Sequence, residues 1–129
     1  EKIYLWVNKI GDEGAKELAE ALKVNTSLKE IGLYENNIGA EGAKDLAEAL
    51  KVNTSLEKIG LEDNYIGAEG AKHLAEALKV STSFEWFNSY YNKMFTESRQ
   101  IHLMRNEIGE EGLNYLEEAM EVMRASSTP

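Results

Sequence analysis

There is no cysteine in these 129 residues. Disulfides, thiolate nucleophiles and cysteine metal sites are thereby excluded. The one proline, Pro129, is the last residue, so no proline-rich linker divides the chain. Basic residues are outnumbered, 14 against 23 acidic ones, and the net charge is -9. Nucleic acid and anionic membrane surfaces both need basic patches, so this balance argues against either as a partner. No apolar run approaches the roughly 20 residues of a membrane span, and no signal-peptide pattern is present. Two isolated histidines, His73 and His102, give no metal signature without cysteine. Neither a metal nor a cofactor is expected. A cysteine-free chain is compatible with a reducing compartment, and a cytoplasmic setting is expected. The first residue is Glu1, as in a processed chain or a segment of a longer one.

What is present is repetition. Hydrophobic residues make up 43% of the chain, an ordinary content for a packed domain, and one domain over 1–129 is expected. AEALKVNTSL occurs at 19–28 and again at 47–56, with AEALKVSTSF at 75–84. IGAEGAK occurs at 38–44 and at 66–72, so the period is 28. Ile3, Leu5, Asn8 and Ile10 align with Ile31, Leu33, Asn36 and Ile38, which places an earlier unit at the start. The units expected are 1–27, 28–55, 56–83, an irregular 84–97, and a capping unit over 98–129.

Each unit changes its hydrophobic period halfway. Ile31 and Leu33 alternate with Glu30, Gly32 and Tyr34, which predicts a short strand with one buried face. Ala43, Leu46, Ala47 and Leu50 recur at helical spacing, with Lys44, Asp45, Glu48 and Lys51 opposite. Acidic residues open each helix and Lys23, Lys51, Lys79 and Arg124 lie near the other ends, as the helix dipole favours. One strand and one helix cannot bury both apolar faces alone, whereas stacked copies can. Strands stack about 4.8 Å apart and helices about 8–10 Å apart. The stack therefore curves, with its strands on the concave side.

The pattern LxxIxLxxNxI followed by GxEGAxxLAEAL resembles the leucine-rich repeat of the ribonuclease-inhibitor type, found also in NOD-like receptors and Ran GTPase-activating proteins. The resemblance covers the chain apart from 84–97. It implies an α/β horseshoe solenoid used for protein binding, with Leu28, Ile31, Leu33, Asn36, Ile38, Leu46 and Leu50 in the core.

FEWFNSYYNKMFTESRQ, residues 84–100, breaks the period, and six aromatics fall within 84–95. Shifted by 28, Phe84 aligns with Leu56, Phe87 with Ile59 and Asn92 with Asn64. The next match begins 14 residues later, where Ile101, Leu103, Asn106 and Ile108 fall on Ile59, Leu61, Asn64 and Ile66. The favoured reading is a helixless repeat, a strand without its helix, between the units on either side. The rival is a looped-out insertion, with the strand at 101–104 pairing directly beside 59–62. In the last unit Leu113, Leu116, Met120 and Met123 form a buried stripe, while Glu117 stands where Ala75 stood, as suits a terminal helix facing water.

Residues between the core positions of each strand face the concave side. There the candidate partner-binding residues are Tyr4, Trp6, Tyr34, Glu62, Trp86, Tyr90, Tyr91, His102, Met104 and Arg105. Trp, Tyr and Arg are enriched at binding hot spots. The simpler reading is that aromatics suit strands, or that Trp86 and Tyr90 fold back over a defective repeat. Gly32 and Gly60 leave a shallow floor. The recurring Asn8, Asn36, Asn64, Asn92 and Asn106 read as structural, each tying down the backbone after its strand. Glu35, Glu62 and Asp63 form an acidic rim with no nucleophile beside it. The glycines of GAEG recur in every unit that has a helix and read as turn and packing residues.

The expected function is a non-catalytic module that binds a protein or peptide partner on its concave face. Two alternatives stay open. One is a GTPase regulator, which rests on the resemblance to Ran activators alone. The other is a self-associating or engineered scaffold, in which a homodimer forms through 84–97 or through the N-terminal strand edge.

Overall fold

The computed structural model describes residues 1–80, 84–87 and 99–127, and for 84–87, 99, 123, 124, 126 and 127 the backbone alone. Strand and helix alternate as the two hydrophobic periods predict. Strand β1 (Lys2–Tyr4) leads to helix α1 (Gly11–Val24), β2 (Glu30–Gly32) to α2 (Ala40–Val52), and β3 (Lys58–Gly60) to α3 (Gly67–Val80). Then come β4 (Phe84–Phe87), β5 (Arg99–His102) and α4 (Gly109–Ser127). The strands form one parallel sheet and neighbouring helices pack on one another behind it. This is the α/β leucine-rich repeat solenoid that the period implied.

The core is columnar. Ile3, Ile31, Ile59 and Ile101 stand opposite one another across the sheet. Behind them Leu33, Ile38, Leu46, Leu50 and their equivalents one unit on are buried. The helices approach closely because each brings a small residue to the contact. A Cβ built on Gly70 would lie 3.2 Å from the Ala43 Cβ, and one on Gly112 would lie 3.2 Å from the Ala71 Cβ. At the edge strand β1 the column runs out of cover: Ile3 is 45% exposed, whereas Ile31 is 2% exposed.

A ladder of asparagines closes the turn after each strand. The Asn36 Oδ1 accepts from the backbone N–H groups of Asn8 and Ile10, and the Asn64 Oδ1 from those of Asn36 and Ile38. Their Nδ2 groups donate backward to the carbonyls of Leu5 and Leu33. Asn36, Asn64 and Asn106 are all buried, and no buried side-chain polar atom lacks a partner among the described residues. A second asparagine ladder runs after the helices. Asn53 donates to the carbonyls of Leu22 and Asn25, and its Oδ1 accepts from Ser55 and Leu56.

The expected place of the irregular stretch is corrected. The strand order is β1-β2-β3-β5-β4. Thus 84–87 does form a parallel strand, but outside β5 and not between β3 and β5. The reason lies behind the sheet. α4 packs directly on α3, so closely that a Cβ built on Gly112 would lie 3.2 Å from the Ala68 Cα. Asn106 reaches straight across to the Leu61 carbonyl and to the Ile66 N–H. A strand without a helix, inserted between them, would part these partners by about 4.8 Å with nothing to fill the gap.

The register is corrected too. Trp86 pairs with Ile101 and Phe87 with His102. Trp86 thus stands in the isoleucine column and not in that of Lys58, and a slip of one residue exchanges the two faces of a strand. In α4, Leu116 and Ala119 are buried and Glu117 is exposed, as a terminal helix requires, but Leu113 is 38% exposed and lies outside the stripe. Met123 lies outside the described side chains.

Candidate functional site

On the concave face β2 and β3 carry glycine where a side chain would otherwise rise, and a groove of about 520 Å³ opens above them. Gly32 and Gly60 form its buried floor. Tyr4 and Trp6 form one wall. Their rings are 5.1 Å apart and tilted by 41°, and they are 47% and 55% exposed. They lean over Gly32: a Cβ there would lie 2.6 Å from the Trp6 indole nitrogen and 2.8 Å from the Tyr4 Cδ1. No partner is found for that indole N–H among the described residues. Glycine at 32 therefore lets the aromatic pair lie across the floor. Lys58 and Glu62 form the opposite wall, and Tyr34 closes one end.

Glu30 is the electrostatic hub of the groove. It accepts a hydrogen bond from the Tyr4 hydroxyl at 3.1 Å and lies 3.6 Å from Lys2 and 3.4 Å from Lys58. Burial alone would raise its pKa. Lys58, the hydrogen bonds from Tyr4 and Lys58, and Lys2 outweigh that and hold the carboxyl below its usual value. Partial burial and the bond to Glu30 raise the Tyr4 pKa, so the hydroxyl keeps its proton as donor.

Beyond Tyr34 lies a second hollow of about 490 Å³, lined by Tyr34, Glu35, Asp63, Tyr65, Arg105 and Glu107 among others. Arg105 grips Asp63 with both its Nε and its Nη2. Glu35, Asp63, Arg105 and Glu107 all sit at positive φ, between 53° and 57°. The same turn geometry recurs at Val7 and Lys9. It belongs to the repeat, and it turns these side chains outward along the rim.

The structure thus brings Tyr4, Trp6, Tyr34 and Glu62 into one groove and places Arg105 in the hollow beside it. His102 is 2% exposed and bonded to Gln100, so no partner can reach it. The equivalent position in β1, Tyr4, is 47% exposed. Met104 is half-buried, and its carbonyl holds the Asp63 N–H. The expectations for Tyr90, Tyr91 and the Trp86 side chain lie outside the described residues. Glu30 and Lys58 were placed on the right face by the strand pattern, but nothing in the sequence showed that they pair. No group of three or more metal-ligating side chains occurs among the described residues, and no helix there is long and apolar enough to cross a membrane.

Strand, asparagine-held turn and helix, stacked at a period of 28, define a solenoid repeat protein with an open concave face. The family described as Leucine Rich repeat matches residues 8–19, 24–47 and 52–75. This chain is a leucine-rich repeat protein. No curated protein matches its sequence. Among solved structures, the tropomodulin C-terminal domain from Caenorhabditis elegans is similar with a TM-score of 0.62 at 16% identity, over 98% of this chain and 85% of that one. The structure of leiomodin-1 actin-binding site 2 is similar with a TM-score of 0.59 at 19% identity, over 95% of this chain and 83% of that one. At such identities the likeness carries the fold and nothing finer.

Proposed function

We propose that this is a non-catalytic binding module, one domain over 1–129 with repeats of the ribonuclease-inhibitor type, which takes a polypeptide along its concave face. The carrying observation is the exposed Tyr4–Trp6 pair, laid over a glycine floor in an open groove. Large aromatic surface left in water is unfavourable, and Trp and Tyr in a partly formed pocket are typical binding anchors. The leiomodin-1 domain is named for binding actin, so this fold serves protein binding there; nothing about the partner transfers at that identity. A cytoplasmic setting belongs to the same reading.

A randomised peptide-display selection against the wild type tests it, with Trp6→Ala and Gly32→Ala as counter-screens. An aromatic anchor of about 2 kcal/mol corresponds to roughly 30-fold in affinity. Selected peptides should lose about that much on Trp6→Ala. Gly32→Ala should also weaken them, because its methyl displaces both rings. Peptides that bind both variants as well as wild type would move the site off this groove. Light scattering across a concentration series accompanies the selection. Self-association that Trp6→Ala dissolves would make the occupant a second copy of the chain.

A further inference from the structure

The groove and the hollow beyond Tyr34 form one continuous surface, since Tyr34 lines both. Their charges differ. In the groove, Lys2 and Lys58 bracket Glu30 and offset it together with Glu62. In the hollow the cation that lines it, Arg105, is already held by Asp63. The carboxylates of Glu35 and Glu107 remain, both residues exposed and neither side chain in a hydrogen bond or ion pair among the described residues. The chain as a whole carries -9, and the excess of carboxylates in the hollow makes that part of the face attract cations. An acidic segment laid here would meet no unengaged cation in the hollow. A basic one would meet two carboxylates and an aromatic ring.

We propose that the concave site selects a basic polypeptide: an apolar or aromatic residue rests on Tyr4 and Trp6, and an Arg or Lys further along lies beside Glu35 and Glu107, against Tyr34. The proposal rests on the groove reading above and adds the charge of the occupant. Complementary charge of this kind favours the right partner and speeds its arrival, and a cation over a tyrosine face adds attraction.

Three display libraries test it, sharing randomised apolar-rich positions and differing in one fixed residue: Arg, Gln or Glu. Each is selected against the wild type, and the binders are measured by fluorescence anisotropy against wild type, Trp6→Ala and Glu35→Gln/Glu107→Gln. The Arg library should enrich most and the Glu library least. Arg binders should weaken about twofold to fivefold per carboxylate removed, and should weaken further as salt is raised. Gln binders should not respond to the double substitution. Equal enrichment from all three libraries, or preference for Glu, overturns the charge selection while leaving the groove standing. Binders from no library overturn the groove reading and the charge selection together.

Discussion

Asn64→Ala is the substitution that most directly tests what holds the solenoid together. Asn64 is 2% exposed. Its Oδ1 accepts from the N–H groups of Asn36 and Ile38, both at 2.9 Å. Its Nδ2 donates to the carbonyls of Leu33 and Leu61 at 2.9 and 3.0 Å. Alanine leaves two buried N–H groups without acceptors, and each such group costs about 1–3 kcal/mol. The expected loss is about 2–6 kcal/mol, a large share of the roughly 5–15 kcal/mol that stabilises a typical domain. Asn8→Ala is the matched control. Asn8 is exposed and, among the described residues, its side chain donates only to the Trp6 carbonyl, so about 0.5 kcal/mol is expected. Asn106→Ala should fall between them, because among the described residues its Oδ1 takes the Ile66 N–H alone. Urea unfolding followed by circular dichroism measures all three. Hydrogen exchange should show protection lost first at the Ile38 amide in Asn64→Ala. If Asn64→Ala and Asn8→Ala unfold at the same urea concentration, the ladder is ornamental and the account of the turns is wrong.

Three further outcomes follow from single contacts. The Asp12 Oδ1 accepts from the N–H groups of Gly39 and Gly42 and so caps α2 from the unit before it; Asp12→Ala should cost about 1 kcal/mol in urea unfolding. Val7 is a β-branched residue at φ 55° and 61% exposed. Val7→Asn should therefore raise stability by about 0.5–1 kcal/mol, since asparagine tolerates that region. Glu30 has its folded pKa lowered below the ordinary 4.5. Its contribution is therefore present above that value and lost as pH falls through the folded pKa. Glu30→Gln should flatten that acid-side loss in a pH series of thermal melts and lower stability at neutral pH.

Legibility followed the range of the interactions. Strand and helix within a unit depend on alternation over a few residues, so Ile31, Leu33, Leu46 and Leu50 declared themselves. The asparagines announced a structural role through their spacing alone. The slot taken by 84–87 did not. Local alignment sets Phe87 on Ile59, but strand order is decided by which helices can touch, and α3 and α4 touch each other. The register of that strand turns on one residue, and an aromatic cluster offers apolar side chains to either parity. His102 looked open by analogy with Tyr4, yet it is 2% exposed; alternation along a strand assigns a face and carries nothing about what covers it. Asp12 read as a partner for the dipole of its own helix. Its bonds to the next one depend on how the helices stack, which no window along the chain contains.

The asparagine ladder also has a direction in time. Each turn is satisfied by an asparagine that lies later in the chain: Ile10 by Asn36 and Ile38 by Asn64, each 26 residues on. Ile66 must wait for Asn106, 40 residues on. On a ribosome that extends the chain by about 5–20 residues per second, a finished repeat is therefore still incomplete until its successor emerges. The third turn stays open longest, because the aromatic stretch is made before the residue that closes it. Synthesis halted after residue 100 would leave the Ile66 N–H without its acceptor, while the two turns before it are already locked.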